Sequence, residues 1–131
     1  MKLINSELLN SVSAKAKESM RLRMNYNFHE NSESKSQRLL NALEIGTELP
    51  IHRHRHTAET YVLLRGKIKV LFYNDNGELT ETTLLDPLEG NYGIDIPAGQ
   101  FHTIEILEND SVIFEVKDGP YTPLEEQDMM K

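Results

Sequence analysis

The stretch "PIHRHRHTAETY", residues 50–61, sets three of the chain's five histidines at alternate positions and carries a glutamate, Glu59, two residues before its end. In an extended strand every second side chain points to the same face, about 6.6 Å apart. His52, His54 and His56 would then share one side of the segment, and two imidazoles so placed can converge on one ion. Whether they do depends on the rest of the chain building a pocket around them.

Downstream, "ETYVLL" (59–64) and "KIKVLFY" (67–73) flank Arg65-Gly66, and Asn76-Gly77 marks a tight hairpin turn into "ELTETTLL" (78–85). "YGIDI" (92–96) leads to the Pro97-Ala98-Gly99 turn, "FHTIEIL" follows, and Asn109-Asp110 turns the chain into "SVIFEV" (111–116). Upstream, "RLRMNYNFH" (21–29) alternates Leu22, Met24, Tyr26 and Phe28 against Arg21, Arg23, Asn25, Asn27 and His29, a strand with two different faces. Polar "ENSESKS" is a loop, "QRLLNALEI" (37–45) a second extended run, and Gly46 to Pro50 punctuates before the histidines.

About eight short strands with no helical periods between them predict an all-β sandwich or barrel rather than a parallel sheet. Residues 6–18 form the exception: Leu8, Leu9, Val12 and Ala16 fall on one face, with Asn5 or Ser6 available as N-cap, so a short helix is expected to pack outside the strands. The last residues, "TPLEEQDMMK", are polar and read as a loose tail.

A chain of 131 residues fits one domain, and at that length roughly two-thirds of the unfolded surface is buried, enough for a core and a cavity. The 14 basic against 21 acidic residues give a formal net charge of -7 with no basic block, which argues against nucleic acid and anionic membrane surfaces as partners. Apolar runs such as "YVLL" fall far short of the roughly 20 residues that span a bilayer. The start "MKLINSELLN" breaks its apolar character at Asn5, Ser6 and Glu7 and lacks the apolar core of a secretory signal, so the expected location is cytoplasmic. The chain has no cysteine, which removes disulfides, thiolate metal sites and cysteine nucleophiles together. Any metal must be held by histidine and carboxylate.

With its flanks, the opening stretch reads Gly46, five residues, His52, one residue, His54, four residues, Glu59, six residues, Gly66; farther on stand Pro97, one residue, Gly99, two residues, His102. This pattern resembles the two signature motifs of the cupin superfamily. The resemblance implies a double-stranded β-helix, or jelly-roll barrel, with His52, His54, Glu59 and His102 binding one divalent metal. Two departures stand out: the asparagine usual four residues past the second motif's histidine is Ile106 here, and that motif's leading glycine is displaced, Gly90 and Gly93 both being imperfect candidates. A histidine-rich loop binding metal adventitiously would account for "HRHRH" but not for Glu59, the framing glycines and the distant "PAGQFH".

Spacing adds a constraint. His54 and Glu59 are five positions apart and would face opposite sides of a straight strand, so the chain must turn or bulge across Arg55 to Ala58, which moves His56 to the mouth of the site. Arg53 and Arg55 are then solvent-exposed or ion-paired. Three imidazoles and a carboxylate suit iron, manganese, nickel or zinc and leave one or two coordination positions open.

Arg23, Asn25 and Asn27 either form a solvated edge or line the cavity, where arginine could pair with an anion and the amides with hydroxyls. Tyr61 shares strand parity with Glu59 and Tyr92 precedes the second motif; each is expected either in the core or at the pocket.

Over residues 3–123 the chain further resembles the WbuC-type cupin fold metalloproteins, through "RLRMNYNFH", "QRLLNALEIGTELPIHRHRHTAETYVLLRGKIKVLFY", "EGNYGIDIPAGQFHTIEIL" and "FEVKDGPYTP". That likeness implies a setting in bacterial O-antigen and other surface-polysaccharide pathways and, as in many cupins, a homodimer, but supplies no substrate; the expected partner is a small polar, sugar-derived molecule. Three functions stay open: a metal-dependent isomerase or epimerase acting on a sugar-like metabolite, with His56, Tyr61 or His29 as candidate base; an iron-dependent dioxygenase; and a non-catalytic sugar-binding or regulatory module.

Overall fold

The structure, a computed structural model, describes residues 1–130. Eight strands follow one helix: α1 (Ser6–Glu18), β1 (Arg23–Asn27), β2 (Ser36–Leu43), β3 (Glu59–Arg65), β4 (Ile68–Tyr73), β5 (Leu79–Leu85), β6 (Gly93–Ile96), β7 (Phe101–Ile106) and β8 (Ser111–Asp118). They form two antiparallel sheets, one in the order β1-β2-β8-β3-β6 and one in the order β5-β4-β7. This is the all-β jelly-roll with a short amino-terminal helix that the sequence led us to expect.

Alternation decides which way each sheet faces. Tyr61, Leu63, Ile113 and Leu43 point inward from the larger sheet and meet Ile68, Val70, Phe72, Ile104 and Ile106 of the smaller one. The opposite parity of the larger sheet, Leu40, Ala42 and Val112 with Met24, Tyr26, Phe28 and Phe114 beside them, is covered by Leu9, Val12 and Ala16 of α1. Helix spacing places those three on one stripe, and the Asn5 side chain accepts from the Leu8 N–H at 3.0 Å to cap the first turn. The larger sheet thus has apolar cover on its outside where α1 lies, and its inner face extends past the smaller sheet.

On that uncovered inner face the register aligns Asn25 with Asn41, Asn27 with Leu39, Leu39 with Glu115, Gln37 with Lys117, and Lys117 with Glu59. The polar row of β1 therefore looks to the same side as the carboxylate of the first motif. β1 starts at Arg23 rather than at residue 21, because Leu22 adopts φ 57° and breaks the extended run.

The carboxyl-terminal segment is not the loose tail its composition suggested. Arg53 N–H donates to the Asp128 carbonyl at 2.9 Å and Met130 N–H to the Ile51 carbonyl at 2.8 Å, so residues 128–130 lie against 51–53 as an additional extended segment. Asp128, only 5% exposed, is ion-paired with Arg55 at 2.7 Å and Arg53 at 3.5 Å. Both arginines of "HRHRH" are thereby turned away from the histidine cluster. Backbone pairing and a buried carboxylate outweigh the segment's polarity.

Candidate metal centre

His52 and His102, fifty residues apart in the chain, are direct cross-strand neighbours: each N–H donates to the other's carbonyl, at 3.0 and 2.8 Å. Their rings lie 4.5 Å apart, centroid to centroid. After His54 the chain bends at Arg55–His56 and starts β3 at Glu59, the turn that the five-residue spacing required. His54 Nε2 comes to 3.4 Å from Glu59 Oε2, and His102 Nε2 to 3.3 Å from Glu59 Oε1. Ligand atoms of His52, Glu59 and His102 all fall within 4.8 Å of one another.

The hydrogen bonds behind the rings settle which nitrogens face inward. His52 Nδ1 lies 3.0 Å from the Pro50 carbonyl and His102 Nδ1 2.9 Å from the Gln100 carbonyl. A carbonyl only accepts, so each Nδ1 carries the proton and each neutral ring has a bare lone pair on Nε2. In His102 that lone pair faces Glu59 Oε1, which is buried and has no hydrogen-bond partner. Two electron-rich atoms at 3.3 Å with no proton between them repel; a divalent cation among them turns the repulsion into ligation. The donors present fit a metal held by imidazole nitrogen and one carboxylate.

Electrostatics agree. Burial, then the neighbouring His102, lowers His52 to about 4, which keeps it a neutral ligand. Burial works to raise the Glu59 carboxyl, but the surrounding polar groups of His102, His54 and Tyr61 hold it well below the ordinary carboxylate range. Tyr61, 3% exposed, brings its hydroxyl to 3.4 Å from His102 Nε2. Burial and the charges of Glu59 and Glu115 raise that phenol well above its ordinary value, so it remains a donor.

The other expected residues divide. His56 is exposed and lines, with His54 and Lys117, a cavity of about 160 Å³ beneath the carboxyl-terminal segment, placing it at a mouth. Asn25, Asn27 and His29 line a polar trough of about 420 Å³ on the inner sheet face. Arg23 shares their face, but its guanidinium donates to Thr47 Oγ1 at 3.2 Å and the Glu48 carbonyl at 3.0 Å, so it fastens a loop instead of lining the trough. Tyr92 does not reach the pocket: it is 61% exposed, and its carbonyl accepts from Leu63 N–H, four residues along β3 from Glu59. The antiparallel pairing of β6 with β3 carries residue 92 away from the ligand end, which Ile96 reaches instead.

Two charged residues of the trough escaped the sequence reading. Glu115 and Lys117 alternate with Val116 in β8 and share the inward parity of Ile113, a signal present in "SVIFEVKD". Desolvation and the nearby Glu59 charge raise Glu115 to about 7, although the Asn41 amide, donating at 2.9 Å, opposes this. At Glu115 the fold therefore binds a proton between the ordinary 4.5 and about 7 that the unfolded chain has released, so its contribution to metal-free stability falls as pH rises through that window and opposes that of His52, whose fall from 6.5 to about 4 makes stability rise between those values. Glu115→Gln should remove the falling contribution, leave stability rising with pH across the window, and stabilise the chelated protein by about 2 kcal/mol above it. Urea denaturation at several pH values measures this, and an unchanged slope refutes the assignment.

Known proteins bear on this geometry in two ways. A family described as Domain of unknown function (DUF6016) matches residues 4–85. Among solved structures, KdgF from a Halomonas species is similar at 16% identity and TM-score 0.58, covering 76% of this chain and 80% of its own. The capsular polysaccharide assembling protein CapF from Staphylococcus aureus is similar at 19% identity and TM-score 0.61, with 81% of this chain covering 29% of CapF. A cupin superfamily protein from Desulfitobacterium hafniense aligns at 14% identity and TM-score 0.57, over 72% of this chain and 74% of its own. No curated protein matches the chain. At these identities the structural likeness establishes the cupin fold and nothing finer.

Proposed function

Since the chain belongs to the family described as Domain of unknown function (DUF6016) and folds as a cupin, we propose that it holds one divalent metal and acts on a small, polar, sugar-like metabolite. The reading takes His52, His54, Glu59 and His102 as ligands. One observation carries it: His102 Nε2 and the buried, unpartnered Oε1 of Glu59 meet at 3.3 Å with the ring's proton held on Nδ1, brought together from two distant parts of the chain.

When bound, the ion supplies a Lewis acid for a carbonyl or hydroxyl oxygen. The chain's own groups do the rest. Pro50 and Gln100 carbonyls fix the imidazole tautomers. The Tyr61 hydroxyl offers a proton beside His102, and half-buried Glu115 provides a carboxyl able to take or give one near neutral pH. The C-terminal segment covers one side of the histidine strand.

The carbohydrate part of the proposal is supported by the amide-rich trough, by the sequence likeness to WbuC-type metalloproteins, and by a structural neighbour described as assembling capsular polysaccharide. With it go three further parts of the same reading: residues 1–131 as a single cupin domain, a homodimer, and a cytoplasmic location. No helix among the described residues is long and apolar enough to cross a membrane. Elemental analysis of untagged protein purified without chelator tests the centre. Near one equivalent of metal is expected in the parent and none in His52→Ala or His102→Ala; equal content in all three refutes the ligand set.

A further inference from the structure

The trough beside the centre contains two unmet needs. Asn41 is 9% exposed, and its Nδ2 donates to Glu115 Oε1 at 2.9 Å; once Glu115 is ionised, above about pH 7, the carboxylate only accepts and the amide's orientation is fixed. Asn41 Oδ1 is then left buried with no partner. A buried acceptor without a donor costs on the order of 1–3 kcal/mol, so a site that keeps one is built to receive an external donor.

The second need is electrostatic. Lys117 lines both the trough and the smaller cavity at His54, and stands directly across the β3–β8 pair from Glu59. Among the described residues it forms no ion pair; its ammonium instead lies 5.9 Å over the Tyr121 ring, which also lines the trough. Its charge reaches Glu59 and Glu115 only through space, and with no direct ion pair the ammonium is free to meet an anionic group.

Resting on the metal-centre reading above, we propose that the ligand is an anionic sugar. Its charged group pairs with Lys117 beside Glu59, and its hydroxyl-bearing carbons run across β8 toward β2 and β1, where Asn41 Oδ1 accepts a hydroxyl and Asn25 and Asn27 offer further amides. Asn41 pairs with Ile113, so it lies one strand, about 4.8 Å, across and four residues, roughly 13 Å, along β8 from Lys117, a gap that the two side chains and a monosaccharide between them fill. Either a carboxylate or a phosphate satisfies the lysine.

The test uses the full chain, isotope-labelled and zinc-loaded, with zinc content measured on each sample. It is titrated with glucose, glucuronate and glucose 6-phosphate while side-chain amide resonances are followed by NMR. Saturable shifts of the Asn41, Asn25 and Asn27 amides are expected. At least one of the two anions should bind about tenfold more tightly than glucose, the worth of one charge-assisted hydrogen bond, and which one does so identifies the charged group. Lys117→Met should abolish that preference, and Asn41→Leu should weaken all three sugars. No saturable shift with any of them in zinc-loaded protein, or a preference that survives Lys117→Met, overturns the proposal and leaves the metal centre standing. Shifts in a protein that takes up no zinc would overturn the metal reading alone.

Discussion

Glu59→Gln is expected to lower the affinity for divalent metal by at least about 100-fold, the upper end of what losing an outer-sphere partner of a metal ligand costs. The substitution keeps the side chain's volume but removes the one charge in the proposed ligand set. It also puts an amide nitrogen where a lone pair faces His54 or His102, at 3.4 and 3.3 Å. Calorimetric titration with zinc or manganese reads the affinity directly. Thermal unfolding gives a second measure, since metal at a hundred times its Kd stabilises a single-site protein by about 2.7 kcal/mol. The variant should lose that increment under conditions where the parent shows it. An affinity within a few-fold of the parent would mean that the ion, if any, sits elsewhere.

Gly66→Ala should cost about 3 kcal/mol or more of stability, a fall in Tm on the order of 10 °C. Gly66 connects β3 to β4 at φ 102°, where an alanine is strained by roughly 1–2 kcal/mol. A Cβ there would lie 2.1 Å from Ser111 Oγ and 2.7 Å from Ser111 Cα, adding about 1–3 kcal/mol of overpacking. Ser111 cannot step aside: it is fully buried, its hydroxyl donates to the Glu108 carbonyl at 2.7 Å, and its strand lies between β2 and β3. Gly77→Ala is the control, with φ 83° but its nearest atom a methionine sulfur at 3.6 Å. Denaturant unfolding should show it losing only the strain. Equal losses at both positions would show that Ser111 yields.

These two substitutions mark what the sequence made legible. Period-two alternation carried the fold, because an inward row such as Tyr61 and Leu63 and an outward row such as Met24 and Tyr26 each need an apolar neighbour, whether sheet or helix. The bend at Arg55–His56 followed from arithmetic: five positions cannot bring two side chains to one face without it. Direction along a strand was not legible. Tyr92 stands next to the second motif in sequence, but β6 runs antiparallel to β3 and leaves it at the wrong end. Nor could composition show that Asp128 meets Arg53 and Arg55 some seventy residues away, which makes the difference between a free end and a docked one. Glu115 and Lys117 are the instructive omission, since in "SVIFEVKD" they occupy the parity of Ile113, and charge on an inward parity marks a cavity rather than a core.

The pairing of residues 128–130 with 51–53 has a practical corollary for handling the protein. An oligohistidine purification handle fused at the carboxyl-terminal side would follow the segment that pairs beside His52 and offer competing imidazoles to the same ion, falsifying both stoichiometry and selectivity. Fused ahead of α1, on the outer face of the larger sheet, the same handle would begin on the side opposite the inner face that carries Glu59. Metal titrations should therefore be done with amino-terminal or cleaved fusions.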